Sequence, residues 1–175
     1  MKLLIVDRDG VISRDADGRV VRAEDWAPVP GSPDAIARLV HGGWHVALLA
    51  DRGPLLRGAC DMAALNALHA RLIAAVVEHG GRIDAVVFVD PADAPGRLER
   101  AAASIGEALA RLGAAPESTV LVTDDPADLE AARAAGCRPV LVLSGHGRRT
   151  LDSGALPPGA VVRVDLAAVA AELAG

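Results

Sequence analysis

Asp7 and Asp9 stand two positions apart at the end of a short apolar run, Leu3-Leu4-Ile5-Val6-Asp7-Arg8-Asp9-Gly10. If the backbone turns after Asp7, both carboxylates face one pocket. A third acid, Asp124, closes a later apolar run, Thr119 to Thr123, and is followed by Asp125 and Asp128. Should those two runs be neighbouring strands, three carboxylates meet above a sheet edge, where they repel and raise one another's pKa. A hard divalent cation with oxygen ligands removes that cost, and Mg²⁺ is the ion expected where phosphate is also bound. Its charge leaves one carboxylate as a nucleophile toward phosphorus and a second to protonate the leaving oxygen. The bland alternative is that Asp7 and Asp9 only end a strand at a turn. Asp124 in an equivalent place argues against it.

Such a site needs strands to aim it, and the chain supplies them. Apolar runs at 3–6, 45–50, 85–89, 119–123 and 139–143, with a weaker one at 160–164, suit strands buried on both faces. Between them lie helix-length segments with apolar spacing near 3.6: 32–43, 61–81, 97–113, 126–136 and 166–175. The first two open on Ser32 and Asp61, and each stops at glycine, the expected helix punctuation. Alternating strand and helix predicts a doubly wound, Rossmann-like parallel sheet in a three-layer α/β/α arrangement. Ligands in such sheets sit at the carboxyl ends of strands, near the switch in strand order. Four of the first five runs are followed directly by Asp: Asp7, Asp51, Asp90 and Asp124.

Bulk composition narrows the partners. The 175 residues suit a single domain spanning 1–175. With no Tyr, one Phe and two Trp, stacking platforms for nucleic acid are not expected, and a formal charge of −5 argues against a phosphate-backbone binder. No stretch is long and apolar enough to predict a membrane span. Cys60 and Cys137 stand alone, which suggests neither a disulfide framework nor a zinc site. With no secretory start read at Met1, the expected setting is a reducing cytoplasm.

The motif around Asp7, with a late strand running into Asp124-Asp125-Pro126-Ala127-Asp128, resembles the haloacid dehalogenase-like (HAD) phosphatases. The likeness is greatest to their nearly capless D-glycero-D-manno-heptose 1,7-bisphosphate phosphatase and histidinol phosphatase-like branch. It runs through EDWAPVPGSPDAIARL (24–39), LNALHARL (65–72), GGRIDAVVF (80–88), DLEAARAAGCRPVLVLSGHGRRTL (128–151) and DLAAVAAEL (165–173). The resemblance implies a HAD-like sheet with minimal or no cap. It also implies Mg²⁺ and hydrolysis of a small sugar phosphate through a phospho-aspartate, in lipopolysaccharide precursor synthesis, by a monomer. By position it makes Asp7 the nucleophile and a metal ligand. Asp9 becomes the acid/base, reaching the metal through its carbonyl, and Asp124 a metal ligand. Asp128 and Asp125 stand behind them, although a helix cap is an equal reading for Asp128.

The phosphate contacts depart from the family pattern. Where the second strand normally ends in Ala-Thr-Asn-Gln-Ser-Gly, this chain has Leu49-Ala50-Asp51-Arg52-Gly53-Pro54, and Ala50 brings no hydroxyl. The Cys/His zinc loop and the Arg-Lys-Pro after the third strand are absent, so no zinc is expected. Counting back from Gly113 puts Glu99 where the lysine should be, and Lys2 is the only lysine. The candidates to restore the balance are Arg52, Arg57, Arg97 and Arg100, with Asp51 as a further substrate-side group. His146 is the one histidine near the expected mouth. Two functions follow: a Mg²⁺-dependent sugar phosphatase, or a pseudo-phosphatase that keeps fold and metal site and serves as a binding or assembly partner.

Overall fold

A computed structural model describes all residues, 1–175. β1 (Lys2–Asp7) is buried along nearly its whole length and runs into the loop that carries Asp9. The excursion from there to α1 (Ser32–His41) is loop with a single 3-10 turn at Ala23–Asp25. It is pinned by the Trp26 indole donating to the Ser13 hydroxyl at 2.7 Å. Then follow β2 (Trp44–Asp51), a one-turn α2 (Gly53–Leu56), α3 (Met62–Glu78) and β3 (Ala85–Val89). The second half is α4 (Arg97–Leu112), β4 (Thr119–Thr123), α5 (Pro126–Ala134), β5 (Arg138–Val142), α6 (Gly147–Asp152), β6 (Val161–Arg163) and α7 (Leu166–Leu173).

All six strands are parallel, in the order β3-β2-β1-β4-β5-β6. The chain works outward from β1 to β3 and returns to β4 on the other side, which makes β1 the switch point. Alternation of side chains along β1 divides the core. Leu4 and Val6 pack with Ile36, Leu39, Leu68 and Leu72 of α1 and α3 and with Val169 of α7. Leu3 and Ile5 face the opposite way, toward Ile105 and Leu109 of α4 and Ala131 of α5. The result is three layers. Helix starts are fixed by carboxylates: Asp61 accepts the Ala64 N–H at 2.8 Å and Asp165 the Ala168 N–H at 2.8 Å.

Candidate active site

Because β1 lies between β2 and β4, Asp7 emerges at the middle of the sheet's carboxyl edge, beside the end of β4. Its Oδ2 accepts the hydroxyl of Thr123, the last residue of β4, at 2.7 Å. Burial, then the carboxylates of Asp128, Asp124 and Asp9, push Asp7 well above the usual carboxylate range, opposed by the Thr123 hydroxyl. Asp124 is held just as closely. Its Oδ2 accepts the His146 backbone N–H at 2.7 Å and its carbonyl accepts the Thr150 hydroxyl at 2.7 Å. Gly10 and Gly145, both at positive φ (78° and 57°), press on this same Oδ2, and a Cβ on either would collide with it. Burial raises Asp124 to about 7, against the His146 N–H. On each carboxylate Oδ1 has no protein hydrogen bond.

Asp9 is arranged differently. Its side chain turns onto Arg8, with Nε to Oδ1 and Nη2 to Oδ2 both at 2.8 Å. Arg8 is itself only 2% exposed; it also donates to the Asp51 carbonyl at 3.1 Å and meets His69 Nε2 at 3.0 Å. Arginine only donates, so Nε2 accepts and the ring proton sits on Nδ1. Burial, reinforced by the Arg8 charge, lowers His69 to about 4 and keeps it neutral. The Asp9 carbonyl takes no protein hydrogen bond.

Asp125 caps α5, its Oδ1 accepting the Ala127 N–H at 2.7 Å. The neighbouring Asp128 is therefore not the cap. It is buried and ion-paired with Arg97, and burial, only partly offset by the Arg97 charge, raises it to about 6. Asp51 ends β2 with its Oδ1 on the Gly53 N–H at 2.5 Å, and burial pushes it above its ordinary value.

These groups line an open cleft that holds Asp7, Asp9, Asp51, Arg57, Asp124, Asp125, Asp128 and His146. The loop after β1 closes one side of it, where Asp17 bonds His146 Nε2 at 2.7 Å. A separate groove between β5, β6 and α7 mixes Val140, Val161, Val169 and Leu173 with Arg138, Arg163 and Glu172 and gathers no such acidic cluster. No three Asp, Glu, His or Cys side chains gather closely enough to hold a metal ion by themselves. The available donors are a mixed set: the second carboxylate oxygen of Asp7, Oδ1 of Asp124 and the Asp9 carbonyl. All are hard oxygens, burial raises the pKa of Asp7 and Asp124 in the metal-free fold, and the set suits Mg²⁺ with water completing the shell.

Not every residue named from the sequence reaches the cleft. Arg52 and Arg100 turn aside to clamp Asp90, each through Nε at 2.6 Å. Glu99 does not take the lysine's seat: it lies exposed on α4, two residues and about 200° of helix from Arg97, which points inward. The positive charge on Asp128 comes from Arg97, the first residue of α4 rather than a loop residue. Ala50 is fully buried and offers nothing polar. Sequence reasoning missed Thr123, whose signal was a hydroxyl residue between a buried strand and an acid pair. It also missed the Arg8–His69 contact, which joins positions 61 residues apart.

Comparison with known proteins gives a consistent result. Residues 100–168 match the family model described as HAD-hydrolase-like. The chain is 42% identical to the D-glycero-β-D-manno-heptose-1,7-bisphosphate 7-phosphatase of Pseudomonas putida, over 99% of each chain. It is 43% identical to the enzyme of that name from Pseudomonas aeruginosa, over 98% of this chain and 97% of that one. The crystal structure of D,D-heptose 1,7-bisphosphate phosphatase from Bordetella bronchiseptica, complexed with magnesium and phosphate, superposes with a TM-score of 0.91. It is 40% identical and covers 99% of this chain and 98% of its own.

Proposed function

The chain belongs to the D-glycero-β-D-manno-heptose-1,7-bisphosphate 7-phosphatase family of HAD-like hydrolases, and from that premise we propose that it removes a phosphate from a small sugar phosphate, a heptose 1,7-bisphosphate or a close analogue, in lipopolysaccharide precursor synthesis. The observation that carries the reading is Asp7: a buried carboxyl at the sheet's switch point, fixed through one oxygen by Thr123, with the other directed at no protein donor.

Oδ1 of Asp7 forms a bond to phosphorus as the ester P–O bond breaks, giving a phospho-aspartate and a sugar alkoxide. Asp9, turned off Arg8, protonates that oxygen, then takes a proton from the water that cleaves the acyl phosphate and restores Asp7. Mg²⁺ held by Asp7, Asp124 and the Asp9 carbonyl supplies countercharge to the acids and the phosphoryl oxygens when bound. Asp128 and Asp125 hold the start of α5 and its charge balance behind that set. Asp51 and Arg57 face the sugar. We read residues 1–175 as one domain, monomeric and cytoplasmic, with Mg²⁺ and no zinc; no helix is long and apolar enough to cross a membrane.

One observation favours the second reading, a pseudo-phosphatase acting as a binding partner: Ala50 leaves the end of β2 without a hydroxyl donor. Loss of one preorganised donor costs on the order of a hundredfold in rate, short of abolition. Phosphate release from heptose 1,7-bisphosphate and a panel of sugar phosphates, with and without Mg²⁺, separates the two. Turnover that needs Mg²⁺ and disappears in Asp7→Asn supports the enzyme. Equal, slow release by both proteins refutes it.

A further inference from the structure

The one buried imidazole, His69, has no part in the chemistry proposed above. It lies on α3, 5% exposed and outside the cleft, and stacks on Phe88 with ring centroids 5.9 Å apart. Its Nε2 accepts from Nη1 of Arg8 at 3.0 Å, and burial keeps the ring neutral so that it can. Arg8 carries the contact onward. Its Nε and Nη2 donate to the two oxygens of Asp9, each at 2.8 Å. Nη2 also donates at 3.1 Å to the carbonyl of Asp51, the last residue of β2.

These anchors decide where the guanidinium stands. Arg8 directly follows β1, and a side chain of that length has many rotamers open to it. Two other elements remove the freedom, α3 through His69 and β2 through the Asp51 carbonyl. Leu65 and Leu68 line its surroundings and offer no polar alternative. Asp9 in turn accepts from no protein group except Arg8. Gly18 closes on its Oδ2 from the loop after β1, where an added Cβ would lie 3.3 Å away. Asp9 is therefore placed by Arg8, and Arg8 by His69. Without the imidazole, Nη1 would be a buried donor lacking its acceptor, and the whole planar fork would turn to find one.

We propose that His69 is a positioning residue for the acid/base: through Arg8 it sets the place from which the Asp9 carboxylate turns to the leaving oxygen. The role rests on the phosphatase reading and extends it to a side chain that touches neither substrate nor metal.

The test compares two leaving groups in the presence of Mg²⁺. A sugar alkoxide needs the proton from Asp9, whereas p-nitrophenolate is a weak enough base to leave without it. kcat/KM covers only the steps up to departure of that group, so the later hydrolysis of the acyl phosphate does not enter. His69→Phe keeps a ring against Phe88 and removes the acceptor. It should lower kcat/KM at least about tenfold for the sugar phosphate turned over best, and less than about twofold for p-nitrophenyl phosphate. Mg²⁺ affinity by calorimetry should not change. His69→Gln, which can still accept from Arg8, should recover most of the loss. Should the larger ring prevent folding, His69→Leu is read with the same two substrates. Equal losses on both substrates mark a merely structural role and overturn the proposal. In an Arg8→Met background, His69→Phe should cost nothing further on either substrate. A second loss of the same size would show that His69 acts without Arg8, and overturns it as well. Wild type that hydrolyses neither ester would refute the phosphatase reading itself, an outcome distinct from equal losses.

Discussion

At Asp7 the needs of chemistry and of stability oppose each other. A carboxyl buried among three others is costly to ionise, so the neutral isostere should be easier to fold. Asp7→Asn is expected to raise the melting temperature of the metal-free protein while lowering Mg²⁺-dependent phosphate release about a thousandfold or more; thermal melts in chelator beside a phosphate-release assay show both. His69 gives a pH signature of the opposite kind. Its folded value, about 4, lies below the unfolded 6.5, so the unfolded chain binds the extra proton as pH falls. Stability from this group is complete above about pH 6.5 and is lost toward pH 4, by up to about 3 kcal/mol. Urea unfolding at pH 4.5, 5.5 and 7.5 should show a shallower decline in His69→Gln than in wild type; parallel declines would sink the idea. Of these groups, the sequence showed the acids, since each follows a buried run and needs only local pattern to be noticed. It did not show Thr123 on Asp7 or His69 on Arg8, because those contacts depend on which strands and helices become neighbours.

Elements fix the site through their ends. β1 and β4 place Asp7 and Asp124, α5 begins on the Asp125 cap, and α4 begins where Arg97 must enter. The long strands and helices were legible because burial on both faces and the 3.6 period leave strong marks. The short α2 and α6 were not, having too few turns to show a period. Placing Glu99 in the cleft failed for a related reason. A count along the chain locates a residue on the helix axis but not around it, and α4 turns Glu99 outward and Arg97 inward. Two substitutions separate positioning from support. Gly145→Ala drives a methyl group into Oδ2 of Asp124 at a positive φ, and should abolish Mg²⁺-dependent stabilisation. Asp165→Ala removes only the cap of α7, on the layer away from α4 and α5. It should cost about 1 kcal/mol, or roughly 2–4 °C in melting temperature, with phosphate release unchanged.

Across the whole molecule, an acidic protein must take an anionic substrate into an acidic cleft. The formal charge is −5, and the cleft is lined by Asp7, Asp9, Asp17, Asp51, Asp124, Asp125 and Asp128 against one arginine, Arg57. Without added countercharge the phosphate would be repelled, and composition alone already pointed away from nucleic acid for the same reason. Neutralisation by Mg²⁺ should therefore be felt in folding as well as in binding. A cation at a hundred times its dissociation constant adds about 2.7 kcal/mol of stability, several degrees in melting temperature for a chain of this size. The gain should also depend on pH with a definite sign. Asp124 rises to about 7 in the metal-free fold, so below that value a proton competes with the cation for its carboxylate. Binding then releases a proton, and apparent Mg²⁺ affinity weakens as pH falls. Melting curves with Mg²⁺ and with chelator should differ more at pH 8 than at pH 6, and in Asp124→Asn the difference should vanish at both. A Mg²⁺ effect that is the same at the two pH values would show that the cation does not compete for a protonated carboxyl, and would move it away from Asp124.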